Sequence, residues 1–262
     1  MAHKEIAVKR PRIIITETSE HLAIAAADMF ADRARTCISE RGIFAVAMSG
    51  GSTPRAMNEV LASQSYRDTI PWDKIHIFWV DERCVPEDDT ASNYGNAKTD
   101  FINRVPIPKD NVHAIPVSVP PEEGRRRYEH ELREFFQLTK DMLPVFDMVF
   151  LGMGRDGHTA SLFPGQKSLL EKKQIILVVK GGDPDVCRLT MTFPVLNNSR
   201  QMVILVSGKQ KAAVIRSVFW SRSDSGRLPI QMVQPQWGEL IWLLDGDAAS
   251  LLSEQVISQT LL

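Results

Sequence analysis

The sequence predicts an α/β fold, a single-domain sandwich with a mostly parallel central sheet and helices on both faces. Two observations support this prediction. Short, fully apolar runs bounded by glycine, proline or charge recur along the chain, and runs this continuous are typical of strands buried on both faces. Segments with apolar residues at three- and four-residue steps, which is helical spacing, lie between the runs. We expect one domain over residues 1–262, with its motifs within about residues 20–255.

The elements follow in chain order from these two patterns. The predicted strands are Ile43–Met48, Ile75–Val80, Met148–Leu151, Ile175–Val179, Met202–Val206 and Leu240–Leu244. The predicted helices are Ala56–Ala62, Gly124–Leu138 and Lys209–Trp220. Pro116–Glu123 carries three prolines and two glutamates and is predicted as a loop that leads into a helix.

Composition and charge exclude several classes of protein. Lys and Arg number 31 against 32 Asp and Glu, so the formal net charge is -1 and nothing in the overall charge favours binding to a nucleic acid or an anionic membrane. Hydrophobic residues make up 44% and charged residues 24%, as in an ordinary globular protein. No stretch approaches the ~18 apolar residues of a membrane span, so we expect a soluble cytoplasmic protein.

The cysteines indicate a reducing compartment. Cys37, Cys84 and Cys187 are odd in number and widely spaced, and no pair of them forms a C-x-x-C motif. This pattern predicts neither a disulfide framework nor a thiolate metal site.

A glycine-rich turn, Ser49–Pro54, follows the first predicted strand and leads into a predicted helix. Gly50 and Gly51 allow the backbone to approach a ligand closely, and Ser52 or Thr53 is a favourable N-cap. A helix N-terminus after such a turn is suited to binding a phosphate, although the same pattern also fits a tight turn without a ligand. The segment loosely resembles the G-x-S-x-G elbow of serine hydrolases, but it lacks the first glycine.

A second glycine cluster, Gly152–Gly165, contains the pattern G-x-G-x-x-G. A dinucleotide site is disfavoured because Pro164 ends any helix within a few residues and the next strand ends at Lys180 rather than at an acid. Asp156 and His158 remain, two residues apart in a turn after a buried strand. A histidine there is suited to act as a general base, with the aspartate orienting its ring or binding substrate.

Cations also occur at the ends of predicted strands and the starts of predicted helices. Arg83 follows Ile77–Val80, Arg188 lies in a later segment, and Lys209 and Lys211 open the last predicted helix. Each is unremarkable alone, since a single surface charge is common. Together they could converge on one anionic ligand, the arrangement that a phosphorylated metabolite requires.

Several motifs, in their order along the chain, resemble those of a known family. They are Ser49–Pro54, Trp79–Arg83, Ser92–Tyr94, Gly152–Pro164 and Gly208–Ala212. Their sequences closely resemble those of the 6-phosphogluconolactonases in the glucosamine-6-phosphate isomerase/6-phosphogluconolactonase family. The resemblance implies the NagB/RpiA/CoA transferase-like fold and hydrolysis of 6-phospho-D-glucono-1,5-lactone to 6-phosphogluconate in the oxidative pentose phosphate pathway.

Two alternatives remain at this point. An isomerase or deaminase of the same fold would carry a glutamate just before a proline, where this chain has Phe163, and a tyrosine where it has Arg83. Both departures favour the lactonase. A catalytically silent sugar-phosphate-binding protein would keep the phosphate turn but would not need the Asp156-Gly157-His158 turn.

The resemblance and the residue chemistry together assign roles. His158 is expected to be the general base, with Asp156 beside it. The phosphate is assigned to Ser49, Gly50, Gly51, Ser52 and Thr53 with Arg188 and Lys211. Arg83 is assigned to the phosphate or to the lactone carbonyl. We expect no metal and no cofactor, a small-molecule lactone as partner, no nucleic acid and no membrane partner, and a monomer or small homo-oligomer.

Overall fold

The computed structural model describes residues 11–220 and 227–253. The ends of the predicted domain, residues 1–10 and 254–262, lie outside the described residues. Within these residues, a sheet of seven strands has the order β1–β10–β9–β6–β2–β3–β5, and every neighbouring pair in it is parallel. Its strands are β1 (Arg12–Thr16), β2 (Phe44–Met48), β3 (Ile75–Trp79), β5 (Val112–His113), β6 (Met148–Gly152), β9 (Gln201–Val206) and β10 (Glu239–Asp245).

A smaller antiparallel sheet continues from the end of β3. It has the order β4–β8–β7, with β4 (Asp81–Arg83), β7 (Ile176–Gly181) and β8 (Val186–Met191). β4 begins one residue after Val80, so this sheet carries the chain directly away from the carboxyl end of β3.

Helices cover both faces of the large sheet. The α-helices of the described residues are α1 (Ser19–Arg41), α2 (Ser52–Leu61), α3 (Gln64–Arg67), α4 (Asn93–Asp100), α5 (Pro121–Phe135), α6 (Phe193–Leu196), α7 (Ala212–Trp220) and α8 (Gly246–Ala249). Phe30 of α1 packs edge-on against Phe44, with ring centroids 5.3 Å apart. Phe78 pairs with Ala47, three residues beyond Phe44, so its ring lies on the opposite face, where it packs 5.0 Å from Phe135 of α5.

The order of the parallel strands positions the site. β9, β6, β2 and β3 are neighbours at the centre of the sheet, and their carboxyl ends meet at one edge. The turns after these four strands therefore converge there, which is where open α/β sheets bind their ligands.

The predicted fold class is confirmed, but the elements differ in several places, and β1, β4, β5 and β8 were not among the predicted strands. The run at Ile175–Val179 overlaps β7 and belongs to the small antiparallel sheet, not to the central one. The long helix α1 was not predicted from the sequence, because its buried face is formed largely by alanines such as Ala26, Ala27 and Ala34, which give a weak apolar periodicity.

Candidate active site

A cavity of about 230 Å³ opens at the carboxyl edge of the large sheet. Its walls come from the turns after β2, β3, β6 and β9. The lining residues are Ser49, Gly50, Gly51, Ser52, Thr53, Pro54, Asp81, Arg83, Asn93, Gly152, Met153, Gly154, His158, Ala160, Leu205, Val206, Ser207, Gln210 and Lys211. Most of the predicted site residues are therefore brought together, while Asp156 and Arg188 lie outside this lining.

The first glycine-rich turn forms one wall of the cavity. Gly51 occupies the N-cap position of α2 with φ +106°, a conformation suited to glycine, and no side chain caps the helix. The predicted N-cap at Ser52 or Thr53 is wrong, because these residues are the first two of the helix itself. Their backbone N–H groups are left without a capping side chain, and this uncapped helix end faces a cavity suited to an anion.

Two close contacts fix the position of this turn. A Cβ atom on Gly50 would lie 1.7 Å from Oδ1 of Asn93, so only glycine fits there without movement of its neighbour. The hydroxyl of Thr53 lies 3.0 Å from that of Ser207, which joins the turn after β2 to the turn after β9.

The second glycine cluster brings Asp156 and His158 into contact. Nδ1 of His158 lies 2.5 Å from Oδ1 of Asp156, which also accepts a bond from the His158 backbone N–H at 3.2 Å. Burial alone would raise the pKa of Asp156, but the amide and ring of His158 outweigh it and hold the pKa below its ordinary value. The carboxylate is therefore ionised at neutral pH and can only accept, so Nδ1 of the ring donates. Nε2 of the neutral ring is left as the acceptor.

The aromatic ring of Phe163 packs beside the imidazole. Its centroid lies 4.9 Å from that of His158, and the guanidinium carbon of Arg188 lies 5.5 Å from it. Arg188 is 2% exposed and donates to the carbonyls of Gly181 at 2.7 Å and Pro184 at 3.0 Å. The structure thus places Arg188 behind Phe163, within the tip of the β7–β8 hairpin, and not in the lining of the cavity.

Arg83 lines the cavity and lies directly opposite Arg188 across the β4–β8 pair. Its Nη1 donates to the Ala91 carbonyl at 2.6 Å, whereas its buried Nε has no hydrogen-bond partner. Burial, and then the charge of Arg83, lower the pKa of Arg188. An anion in the cavity would offset this repulsion between the two guanidinium groups.

Lys211 contributes the second cation of the lining. Its ammonium group donates to the Met153 carbonyl at 2.6 Å. Burial, followed by the charge of Arg155, lowers the pKa of Lys211 below its ordinary value. A partly desolvated ammonium gains more from a neighbouring anion than a fully hydrated one.

Asp81 is a site residue that the sequence analysis missed. It was not among the predicted site residues, yet it is 3% exposed and lines the cavity. Ser161 donates to its carboxylate at 2.6 Å, and the Asn93 side-chain amide donates to its backbone carbonyl at 2.9 Å. Asn93 Oδ1 is buried without a partner. Charged residues are usually exposed, so the residue type of Asp81 gave no reason to place it in the site. Its position directly after a buried strand was the sequence signal that could have placed it there.

The carboxylate of Glu82 links the Asp81–Arg83 motif to the Ser92–Tyr94 motif. Its buried carboxylate accepts backbone N–H bonds from Asn93 at 2.8 Å, Tyr94 at 2.7 Å and Arg83 at 2.7 Å. Burial raises its pKa even though these bonds act in the opposite direction. The group holds the start of α4, and with it Asn93, against the cavity.

Residues 11–220 and 227–253 contain no group of three or more His, Cys, Asp or Glu side chains that could hold a metal ion. In the same residues no helix has the length and apolar character needed to cross a bilayer. The absence of a metal and of a cofactor from the reaction stays a prediction.

Comparison with known proteins tests the predicted family. The family model described as glucosamine-6-phosphate isomerases/6-phosphogluconolactonase matches residues 17–242. The chain belongs to this family. It is 42% identical over 222 residues to the 6-phosphogluconolactonase of Synechocystis, covering 84% of this chain and 89% of that one. It is 36% identical over 247 residues to the human 6-phosphogluconolactonase, covering 92% and 93%.

Solved structures of the family share the fold. The chain matches the 6-phosphogluconolactonase of Trypanosoma brucei with a TM-score of 0.83 at 26% identity, covering 93% of this chain and 99% of that one. A monomeric glucosamine-6-phosphate deaminase of the NagB superfamily matches with a TM-score of 0.76 at 22% identity, covering 92% and 99%, which shows the fold alone. The family and the fold predicted from the motifs are thus confirmed.

Proposed function

We propose that this protein hydrolyses 6-phospho-D-glucono-1,5-lactone to 6-phospho-D-gluconate, the 6-phosphogluconolactonase step of the oxidative pentose phosphate pathway. One observation supports this assignment above all: His158, oriented by Asp156, shares a cavity with the uncapped N-terminus of α2. A general base and an anion site in the same cavity are what hydrolysis of a phosphorylated lactone requires. The named relatives in the family carry the same activity.

The proposed reaction begins at Nε2 of His158. This nitrogen accepts a proton from a water molecule as the water oxygen attacks the lactone carbonyl, and the charge develops on the carbonyl oxygen. The tetrahedral intermediate then collapses, the bond to the ring oxygen breaks, and the imidazolium returns its proton to that oxygen. Asp156 keeps the ring in the correct tautomer and stabilises the imidazolium through the 2.5 Å contact.

The phosphate is proposed to bind at the start of α2. The N–H groups of residues 49–53 and the hydroxyls of Ser52 and Thr53 are the donors, and Lys211 supplies a positive charge in the same lining. Arg83 adds a second cation, directed to the phosphate or to the carbonyl side. For Arg188 we now propose a supporting role, because its guanidinium holds Phe163, and through it the His158 ring, instead of reaching the ligand.

Phe163 also supports the lactonase over the deaminase. The ring that packs 4.9 Å from His158 cannot transfer a proton, so the position gives no acid that could assist ring opening of an amino sugar. The predicted cytoplasmic location, the monomer or small homo-oligomer and the single domain stay proposals.

The deciding experiment is an acid-release assay with freshly generated lactone, run beside glucosamine-6-phosphate and ribose-5-phosphate turnover. We expect acid release well above the spontaneous rate with the lactone and no turnover of the other two. Ammonia release from glucosamine-6-phosphate would establish the deaminase instead. Binding of 6-phosphogluconate without turnover of any substrate would establish a silent sugar-phosphate binder.

A further inference from the structure

Two cysteines that are distant in the sequence face each other in the small antiparallel sheet. Arg83 pairs with Arg188, so Cys84 lies opposite Cys187, and the Cys84 backbone N–H donates to the Cys187 carbonyl at 2.9 Å. This bond makes the two cysteines a hydrogen-bonded pair, and the Cα atoms of such a pair lie about 5.5 Å apart in an antiparallel sheet. This spacing is inside the range of about 4.4–6.8 Å that the Cα atoms of disulfide-bonded cysteines span.

We propose that Cys84 and Cys187 form a redox-active dithiol, which a low-molecular-weight disulfide converts into a reversible intramolecular disulfide. Both thiols are free and partly exposed, whereas Cys37 is fully buried. Cys84 also lines a second cavity, of about 520 Å³, together with Tyr94 and Pro116. Cys187 does not line this cavity, but its own partial exposure gives a small oxidant access to its thiol, and neither cysteine lines the candidate active site.

The exchange proceeds in two displacements. The Cys187 thiolate attacks one sulfur of the oxidant, a mixed disulfide forms, and one thiolate leaves. Cys84 then loses its proton and attacks the Cys187 sulfur, so the protein disulfide forms and the second thiolate of the oxidant leaves. Two protein thiols are thereby oxidised and one small-molecule disulfide is reduced to two thiols.

The order of the two steps follows from the surroundings of Cys84. Burial, and then its contact with Cys187, raise the pKa of Cys84 to about 12. Its thiol therefore keeps its proton during the first displacement and acts second, where the adjacent mixed disulfide offers a high effective concentration. Closure is expected to be slow at neutral pH and faster as the pH rises.

The cross-link would join the strand that carries Arg83 to the strand that carries Arg188. It closes a loop of about 100 residues, and the gain from restricting the unfolded chain grows with the length of the closed loop. We therefore expect the oxidised protein to unfold at a higher temperature than the reduced one, with the small sheet held in its present register.

The test uses the full chain incubated with oxidised glutathione, followed by thiol counting in denaturant and by mass spectrometry of the unreduced digest. We expect free thiols to fall from three to one, a linked peptide pair containing Cys84 and Cys187, and a rise in Tm that dithiothreitol reverses. Cys37→Ser should still form the linked pair. Cys84→Ser should instead retain a glutathionyl adduct on Cys187 and show no rise in Tm.

Other outcomes would overturn the proposal. They are three free thiols after oxidation, a link that involves Cys37 or a second chain, or a glutathionyl adduct that persists on Cys187 in the wild type. The peptide analysis of the wild type needs no variant, so the proposal stays testable even if Cys84→Ser fails to fold.

Discussion

Oδ1 of Asp156 accepts hydrogen bonds from both the ring and the backbone N–H of His158, at 2.5 Å and 3.2 Å. One carboxylate thus fixes the tautomer of the ring and the path of the turn that carries it. This double contact within three residues explains how a short glycine turn, without a supporting helix, can hold a general base in a defined orientation.

Replacing Asp156 by Asn should lower kcat by about 10²-fold, because the amide no longer fixes the tautomer or stabilises the imidazolium. KM should change little, since the carboxylate lies outside the cavity lining. Steady-state kinetics on the lactone check this, with Asp110→Asn, an exposed residue, as the control. A rise in KM at unchanged kcat would instead place Asp156 on the substrate.

Lys211→Met should raise KM about tenfold or more, because a charge-assisted bond to the phosphate is lost. Lys209→Met is the matched control, since Lys209 is exposed on the same turn and outside the lining. Because its pKa is lowered, Lys211 should lose its charge at a lower pH than an ordinary lysine. The affinity of the wild type for the phosphorylated substrate should therefore begin to fall at that lower pH as the pH rises. Lys211→Arg should remove this alkaline loss. An unchanged KM in Lys211→Met would remove Lys211 from the phosphate site.

Gly50→Ala should destabilise the fold and disrupt the phosphate turn. The added methyl would meet Asn93 Oδ1 at 1.7 Å, and Asn93 is held by its bond to the Asp81 carbonyl. Overpacking of this kind costs about 1–3 kcal/mol. Gly152→Ala is the control from the same cavity, since its nearest neighbour would lie 3.8 Å away. Equal melting temperatures for the two variants would contradict the close packing of Gly50 and Asn93.

The site could be predicted best from the sequence where a buried strand runs directly into a short turn. Ser49–Thr53 and Asp156–His158 could be placed because continuous apolar runs precede both turns and because neighbouring parallel strands end at one edge. Asp81 could not be placed, since the burial of a charge depends on partners such as Ser161, which lies far along the chain.

Arg188 shows the other limit of sequence reasoning. Its residue type suited a phosphate ligand, but its direction is set by the carbonyls at the tip of the β7–β8 hairpin and by Phe163. No local pattern records such contacts. The pairing of Cys84 with Cys187 could not be predicted for the same reason. Antiparallel strands join distant segments of the chain, and the number of residues between two cysteines does not give the register of the pairing.

A pair of histidines on β3 and on the edge strand β5 should make the free energy of unfolding depend on pH in the acid range. Nδ1 of His76 lies 3.1 Å from Nε2 of His113, whose Nδ1 contacts Glu131 at 2.7 Å. Burial, and then His113, lower the pKa of His76 to about 4. The unfolded chain protonates this ring near pH 6.5, so stability falls as the pH drops from about 6.5 to 4, by up to about 1.4 kcal/mol per pH unit.

Urea unfolding at pH 6.5 and pH 4.5 checks this expectation. His76→Gln should lose less stability between the two pH values than the wild type does, whereas the exposed His130→Gln should behave like the wild type. The same loss in all three proteins would show that His76 is not the group that titrates.

The most direct test of the account is the rate of lactone hydrolysis by His158→Ala. We expect kcat to fall by ~10²- to 10⁴-fold, the usual contribution of a general base, while the melting temperature and the Kd for 6-phosphogluconate stay close to wild type. Full activity in His158→Ala, with the spontaneous rate subtracted, would contradict the proposed mechanism.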